Sequence, residues 1–159
     1  MLSLRLLSIT QDDFEAWKTG SIKDYADEKV KAGNWTAEEA PGFAEQTFVS
    51  IPPQGFSTAD HYFFSIENPS AREKVGIVWY SINREGKRSF AYIWDFAICE
   101  QHRRRGYGSE ALRLLEEKWG SRGLTPYHCT FLGTTMPPES CTGKAGYAVT
   151  NVNMSKKVA

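Results

Sequence analysis

The chain has 159 residues, 41% hydrophobic and 24% charged, with 19 basic against 19 acidic side chains and a formal net charge of zero. That length suits one domain over residues 1–159 with an unstapled core, and the charge balance argues against wholesale affinity for nucleic acid or a membrane surface. Cys99, Cys129 and Cys141 are odd in number and form no CxxC pair, Arg5 interrupts the apolar start, and no apolar run is long enough for a bilayer; a disulfide framework, a signal peptide and a membrane span are excluded, and a cytoplasmic protein is expected.

Leu2 to Ile9 alternates loosely and reads as an opening strand. Thr10 with Asp13 forms a helix start, with Phe14 and Trp17 facing inward. A second helix is predicted over Ile22 to Ala32, ended by Gly33. Thr36 to Glu39 has the form of a capping box, with Pro41 competing to set the helix start. Pro52 to Gly55 is a loop. Three strands follow, His61 to Glu67, Val75 to Ile82 and Phe90 to Cys99, joined by the turn chemistry of Asn68-Pro-Ser70 and Arg84-Glu-Gly86, so they are antiparallel neighbours. After Gly108 the period becomes helical, with Ala111, Leu112, Leu115 and Trp119 on one face and Gly120 and Gly123 at the end. Tyr127 to Leu132 is a further strand and Tyr147 to Lys156 the last. The order of elements predicts an α+β fold around a mixed, largely antiparallel sheet.

The chemistry concentrates where Arg103-Arg-Arg105 runs into Gly106-Tyr-Gly108 at a helix start. Glycines let backbone N–H groups turn toward a ligand, the helix dipole points its positive end there, and three guanidinium groups add charge. A phosphate or pyrophosphate is the natural guest. By itself the pattern is also that of a glycine-softened helix start with solvated arginines. Gly106 to Ala111 satisfies the dinucleotide pattern G-x-G-x-x-A, but no acidic residue follows about 20 positions on, and antiparallel hairpins precede it. A Walker loop ending at Gly143-Lys144 has Pro138 in place of its first glycine. An RNA-binding arginine patch lacks its aromatic pattern.

The neighbourhood adds a resemblance. Arg103 to Gly108 is similar to the [RQ]-x-x-G-x-[GA] loop of the GNAT superfamily of N-acetyltransferases, a strand ending in Phe96-Ala-Ile98 precedes it by five residues, and Lys144-Ala-Gly146-Tyr147 resembles that family's K-x-G-[FY] turn before a closing strand. The resemblance spans nearly the whole chain and implies helices on both faces of the sheet. It implies acetyl-CoA as acetyl donor, with its pyrophosphate on Arg103, Arg104, Arg105, Gly106, Tyr107, Gly108 and Ser109. It places the pantetheine and the thioester carbonyl on backbone groups of Phe96, Ala97 and Ile98, exposed where two parallel strands splay. Transfer is then direct, to a small-molecule or peptide amine, in a monomer or homodimer.

An attacking amine must be neutral, although a lysine-type amine has a pKa of about 10.4. Asp95, between Trp94 and Phe96, and Glu100, at the entry to the loop, are the candidate catalytic carboxylates. For each the alternative is a surface charge, solvated or paired with an arginine. Cys99 has no histidine predictably beside it and reads as a core thiol. His61, His102 and His128 lack ligand spacing, so no metal is expected. Tyr62, Phe63, Trp79 and Trp94 read as sheet packing or as the lining of an acceptor groove.

One stretch departs from the family pattern. N-x-x-A-x-x-L-Y should precede K-x-G-[FY], its asparagine touching the cofactor and its tyrosine protonating the leaving thiolate. Those positions hold Thr135, Pro138, Cys141 and Thr142. Back-translated with chosen wobble bases and chosen serine and leucine codon sets, the other two bases of most shifted codons being forced, and read one base earlier, residues 129–143 can spell L-H-V-L-G-H-N-H-A-A-R-K-L-Y-G, which contains the pattern in register. The hypothesis is a compensated frameshift, natural or in the recorded sequence or clone, starting near Leu124 to His128 and ending near Gly143; the alternative is a diverged loop. A single uninterrupted frame in the genes of close relatives, still spelling this peptide, would remove it. As written, the chain has a threonine where the acid should be, which opens the rival reading of a catalytically impaired acyl-CoA binder; a rival from a different class, resting on the arginine run, is an arginine-loop nucleic-acid binder.

Overall fold

The computed structural model describes residues 2–50, 52–124, 127–129 and 144–146. Strand β1 (Arg5–Ser8) leads into helix α1 (Gln11–Lys31). Thr10 and Asp13 cap α1 reciprocally, with the Asp13 N–H donating to Thr10 Oγ1 at 3.2 Å and the Thr10 N–H to Asp13 Oδ2 at 3.4 Å. The two helices expected here are one. Gly20 stays helical because one interior glycine costs only about 1 kcal/mol, and the stop comes at Gly33, left-handed at φ +72, whose N–H bonds Val30 O. Helix α2 (Ala40–Ser50) follows. Of the expected capping box one half forms, the Glu39 N–H donating to Thr36 Oγ1, while the Thr36 hydroxyl, not its backbone N–H, donates to the Glu39 carboxylate; Pro41 sits in the first turn, where its missing N–H is not needed.

Strands β2 (His61–Asn68), β3 (Glu73–Glu85) and β4 (Arg88–Ile98) form the antiparallel meander, with β1 against β2. Helix α3 (Tyr107–Gly120) carries the chain back to β5 (Tyr127–Cys129), which lies parallel to β4. The sheet order is β1-β2-β3-β4-β5, mixed and largely antiparallel as the element order predicts. The predicted closing strand, Tyr147 to Lys156, lies outside the described residues.

Strand alternation feeds two cores. Phe64, Ile66, Val78, Tyr80, Ile82, Ala91 and Ile93 meet Ala111, Leu112, Leu115 and Trp119 of α3 on one face. Phe63, Ile77 and Trp79 meet Ile9 and Phe14 on the other, the α1 face. The four α3 residues of the predicted stripe are all fully buried. Among the described residues, no helix is long and apolar enough to cross a membrane.

One glycine has a packing duty that its sequence context does not advertise. Gly76 faces Ile98 in the β3–β4 register, and a Cβ there would collide with the Ala97 carbonyl oxygen. A backbone atom cannot swing away as a side-chain tip can. Gly76→Ala is therefore expected to destabilise the fold by about 1–3 kcal/mol, read by chemical denaturation, because β4 must shift to make room.

Candidate active site

The decisive local feature is an extra residue in β4. Trp79 pairs with Asp95 but Tyr80 pairs with Ile93, so Trp94 bulges out of register. Without the bulge, Asp95 would share the α3 face with Ala91 and Ile93. With it, the parity reverses: Phe96 and Ile98 pack on the α3 core while Ala97 joins Trp94 on the α1 face. Asp95 goes with them and accepts a hydrogen bond from Trp17 Nε1 of α1 at 3.0 Å. A bulge re-aims a side chain in this way wherever one residue is inserted opposite another.

Asp95 is half-buried, and its burial holds the carboxyl above the usual carboxylate range. The Trp17 indole and a hydrogen bond from the Phe96 backbone pull the other way. Asp24 and Glu28 of α1 push it further up by repulsion. Around it stand stacked rings: Trp79 lies 5.4 Å from Trp94 at 20° and 5.5 Å from Trp17 edge-on. Trp94 Nε1 donates to Ser81 Oγ at 2.9 Å and Trp79 Nε1 to His61 Nδ1 at 3.0 Å, so neither indole N–H is left buried without a partner. Tyr92 and Trp94 continue this face into a groove of about 400 Å³ with Asn83, Glu85 and Phe90. Tyr62, by contrast, packs against the α3 core.

The other edge of β4 supplies backbone groups. The Cys99 N–H bonds Val75 O at 2.8 Å. Antiparallel alternation from that bond turns the amides of Ala97 and Asp95 toward β3 and those of Phe96 and Ile98 away from it. Among the described residues, pairing with β5 covers Ala91 to Ile93. The Ile98 carbonyl receives Arg103 Nε at 2.9 Å, which ties the arginine run to the end of β4.

After β4, Glu100 to His102 make one 3-10 turn, with Glu100 exposed and its carbonyl taking the Arg103 N–H at 3.2 Å. Arg103, Arg104, Arg105 and Gly106 are exposed. Arg104 is held left-handed at φ +60, and Gly106 at φ +83 is the N-cap of α3. A left-handed non-glycine residue stores strain, which is common beside binding sites. Gly106 brings no side-chain cap, and α3 closes its first bond from Glu110 N–H to Gly106 O. The amides of Tyr107, Gly108 and Ser109 thus have no intrahelical acceptor and sit at the positive end of the helix dipole. Gly108 and Ser109 are half-buried; Tyr107 is buried, its hydroxyl accepting from Asn68 Nδ2 at 3.1 Å, so this side chain anchors the loop to β2.

A model of the acetyltransferase (GNAT) family matches residues 9–137. The chain belongs to that family. It is an acetyltransferase with the GNAT fold. The uncharacterized N-acetyltransferase YycN of Bacillus subtilis is 29% identical over 157 residues, covering 99% of this chain and 100% of YycN. YdgE of the same organism, also an uncharacterized N-acetyltransferase, is 27% identical over 99% of each chain. The crystal structure of YycN has a TM-score of 0.89 over 99% of both chains, at 29% identity. The fold alone is shared with a GCN5-related N-acetyltransferase from Ralstonia eutropha, at TM-score 0.66 and 13% identity over 98% and 99% of the two chains.

In this GNAT chain the structure brings Asp95 and Phe96 to Ile98 onto one strand end and ties them through Arg103 to the loop over Arg103 to Ser109. Glu100 stands apart on the surface. Cys99 is a half-buried free thiol. Among the described residues, no three His, Cys, Asp or Glu side chains gather as a metal site would. The bulge and the Trp17 bond were not anticipated, although Ala91-Tyr-Ile93-Trp-Asp-Phe96-Ala-Ile98 shows the parity break that signals a bulge. The family match ends inside the stretch that departs from the pattern. Thr135, Pro138, Cys141, Thr142 and Tyr147 lie outside the described residues, as does the frameshift hypothesis that rests on them. Gly146 of the K-x-G turn is described and is left-handed at φ +88, as a glycine conserving such a turn must be able to be.

Proposed function

We propose that the chain is an acetyl-CoA-dependent N-acetyltransferase that passes the acetyl group directly to a primary amine in a ternary complex, in the cytoplasm. The observation that carries this reading is the joining of two half-sites. The amides of Tyr107 to Ser109, which have no intrahelical acceptor and no side-chain cap from Gly106, suit a diphosphate, and the Arg103 Nε bond to Ile98 O fixes them relative to the outward-facing edge of β4. Among the described residues, Leu2 Cδ1, 3.1 Å away, is the contact a Cβ at Gly106 would meet.

Acetyl-CoA supplies an activated carbonyl. The residues of this chain would do the rest. Arg103 to Arg105 attract the diphosphate and the loop amides bind it. The outward amide of Ile98 would polarise the thioester oxygen, while that of Phe96 donates to the Asp95 carboxyl and links the strand edge to the base. Ala97, whose N–H faces β3, contributes through the strand rather than through its own donor. Asp95, whose burial raises its proton affinity, takes the proton from the amine nitrogen as the C–N bond forms and the C–S bond breaks. The departing thiolate takes its proton from water. Glu100 fits a role at the loop entry better than one at the amine, being exposed and off the α1 face.

Free-thiol release from acetyl-CoA across a panel of peptide N-termini, lysine, polyamines and small drug-like amines tests this. Amine-dependent release is expected for at least one class. CoA binding without release under any amine supports the impaired acyl-CoA binder that the Thr135 to Thr142 mismatch suggests. No CoA binding, with salt-sensitive RNA binding instead, contradicts the reading.

A further inference from the structure

We infer that Trp17 is a positioning residue for the proposed base: its indole N–H fixes the Asp95 carboxylate on the α1 face and holds it in its charged, proton-accepting form. The inference rests on the reading of Asp95 as the base, and adds a residue from a helix that carries no motif.

The geometry carries it. Trp17 Nε1 is 3.0 Å from Asp95 Oδ2, a hydrogen bond between residues 78 apart in the chain. The half-buried ring is packed among four aromatic neighbours. It contacts Phe14 at 5.5 Å and Phe63 at 5.7 Å, Trp79 edge-on at 5.5 Å, and Phe48 of α2 at 6.3 Å. Trp17 therefore links both N-terminal helices to the bulged strand at the one point where the strand offers a carboxylate.

The chemistry requires some such donor. A half-buried carboxylate is disfavoured as an anion, and the charged groups of α1 near Asp95, namely Asp24 and Glu28, are both acidic and disfavour it further. From β2, His61 reaches this face through its stacking on Trp94, but its Nδ1 accepts from Trp79 and burial holds it below the usual imidazole range, so it offers no cation. Besides the Phe96 backbone, the Trp17 indole is what keeps the anion in place. A donor without charge suits a base, since it orients the carboxylate without quenching it as an arginine would.

The test reads the coupling by NMR on the intact protein, apart from turnover. One indole N–H cross-peak, identified by its loss in Trp17→Phe, is expected to move with pH at the same midpoint as the Asp95 carboxyl carbon and to stop moving in Asp95→Asn. In Trp17→Phe the acid dissociation constant of Asp95 should fall by about 10- to 150-fold, the scale of a lost hydrogen bond to a charged group. With a working amine, the midpoint of the pH–rate profile should rise by the same factor, whereas a merely structural defect lowers the rate alike at every pH. An Asp95 midpoint unchanged in folded Trp17→Phe overturns the inference. So does a wild type in which none of the indole N–H signals moves at the Asp95 midpoint, which needs no assignment from the variant and decides the matter even where the variant does not fold. Full turnover in Asp95→Asn is a separate failure: it removes the base assignment and leaves the spectroscopic coupling to be judged by itself.

Discussion

Asp95→Asn is expected to lower kcat for acetyl transfer by about 100- to 10,000-fold, the usual contribution of a positioned general base, while leaving CoA affinity unchanged. Asparagine keeps an oxygen to accept from Trp17 Nε1, so the α1 contact persists; what disappears is proton affinity. In the wild type, activity should rise with pH through the elevated pKa of Asp95 and then level off. The same group makes a stability claim of opposite sense. A carboxyl whose folded pKa lies above its unfolded value contributes stability below the unfolded value and loses it as pH rises through the folded one. At pH 8 the buried charge is a liability, and Asp95→Asn should be more stable than the wild type, by about 0.5–2 kcal/mol as is common when a functional strain is removed. Near pH 3 that advantage should vanish. A variant both inactive and less stable at pH 8 would mean that Asp95 is a structural residue.

Gly106→Val is expected to weaken CoA binding by about 100-fold, equivalent to roughly 2.7 kcal/mol. At φ +83 a β-branched residue is strained, and its Cβ meets Leu2 Cδ1, so the backbone must rotate and carry the Tyr107 to Ser109 amides with it. Loss of affinity through general destabilisation is separated by a control within the same helix. Gly123, past the other end of α3, is also left-handed, at φ +68, with no described atom beyond its chain neighbours within 4 Å of where a Cβ would stand. Gly123→Val should lower stability comparably and leave CoA affinity intact. Equal loss in both variants would assign the effect to the fold rather than to the loop.

Much of this fold is legible in the residues because local and global signals agree. The α3 stripe is read from a clean 3.6-residue period and is buried as read. The meander follows from turn residues at Asn68 to Ser70 and Arg84 to Gly86. The α1 boundary is less legible, since Gly20 resembles a break and yet costs too little to make one. Of the site, the loop is legible because glycine and arginine are needed there for stated reasons. The environment of Asp95 is not, because it depends on one inserted residue, Trp94, and on a partner 78 positions away. A strand read as simple alternation puts that carboxylate on the wrong face. Gly76 is illegible for a similar reason: its constraint is the Ala97 carbonyl across the ladder, which no spacing along the chain reveals.

The central claim, that main-chain amides at the start of α3 hold a diphosphate, is tested most directly by titrating the ¹⁵N-labelled protein with CoA and, separately, with pantetheine, which keeps the thiol arm and lacks the diphosphate. The account predicts that CoA shifts the amides of Gly106, Tyr107, Gly108 and Ser109 and binds at least about 100-fold more tightly than pantetheine. Equal affinity for the two, or CoA binding with those four amides unmoved, would contradict it.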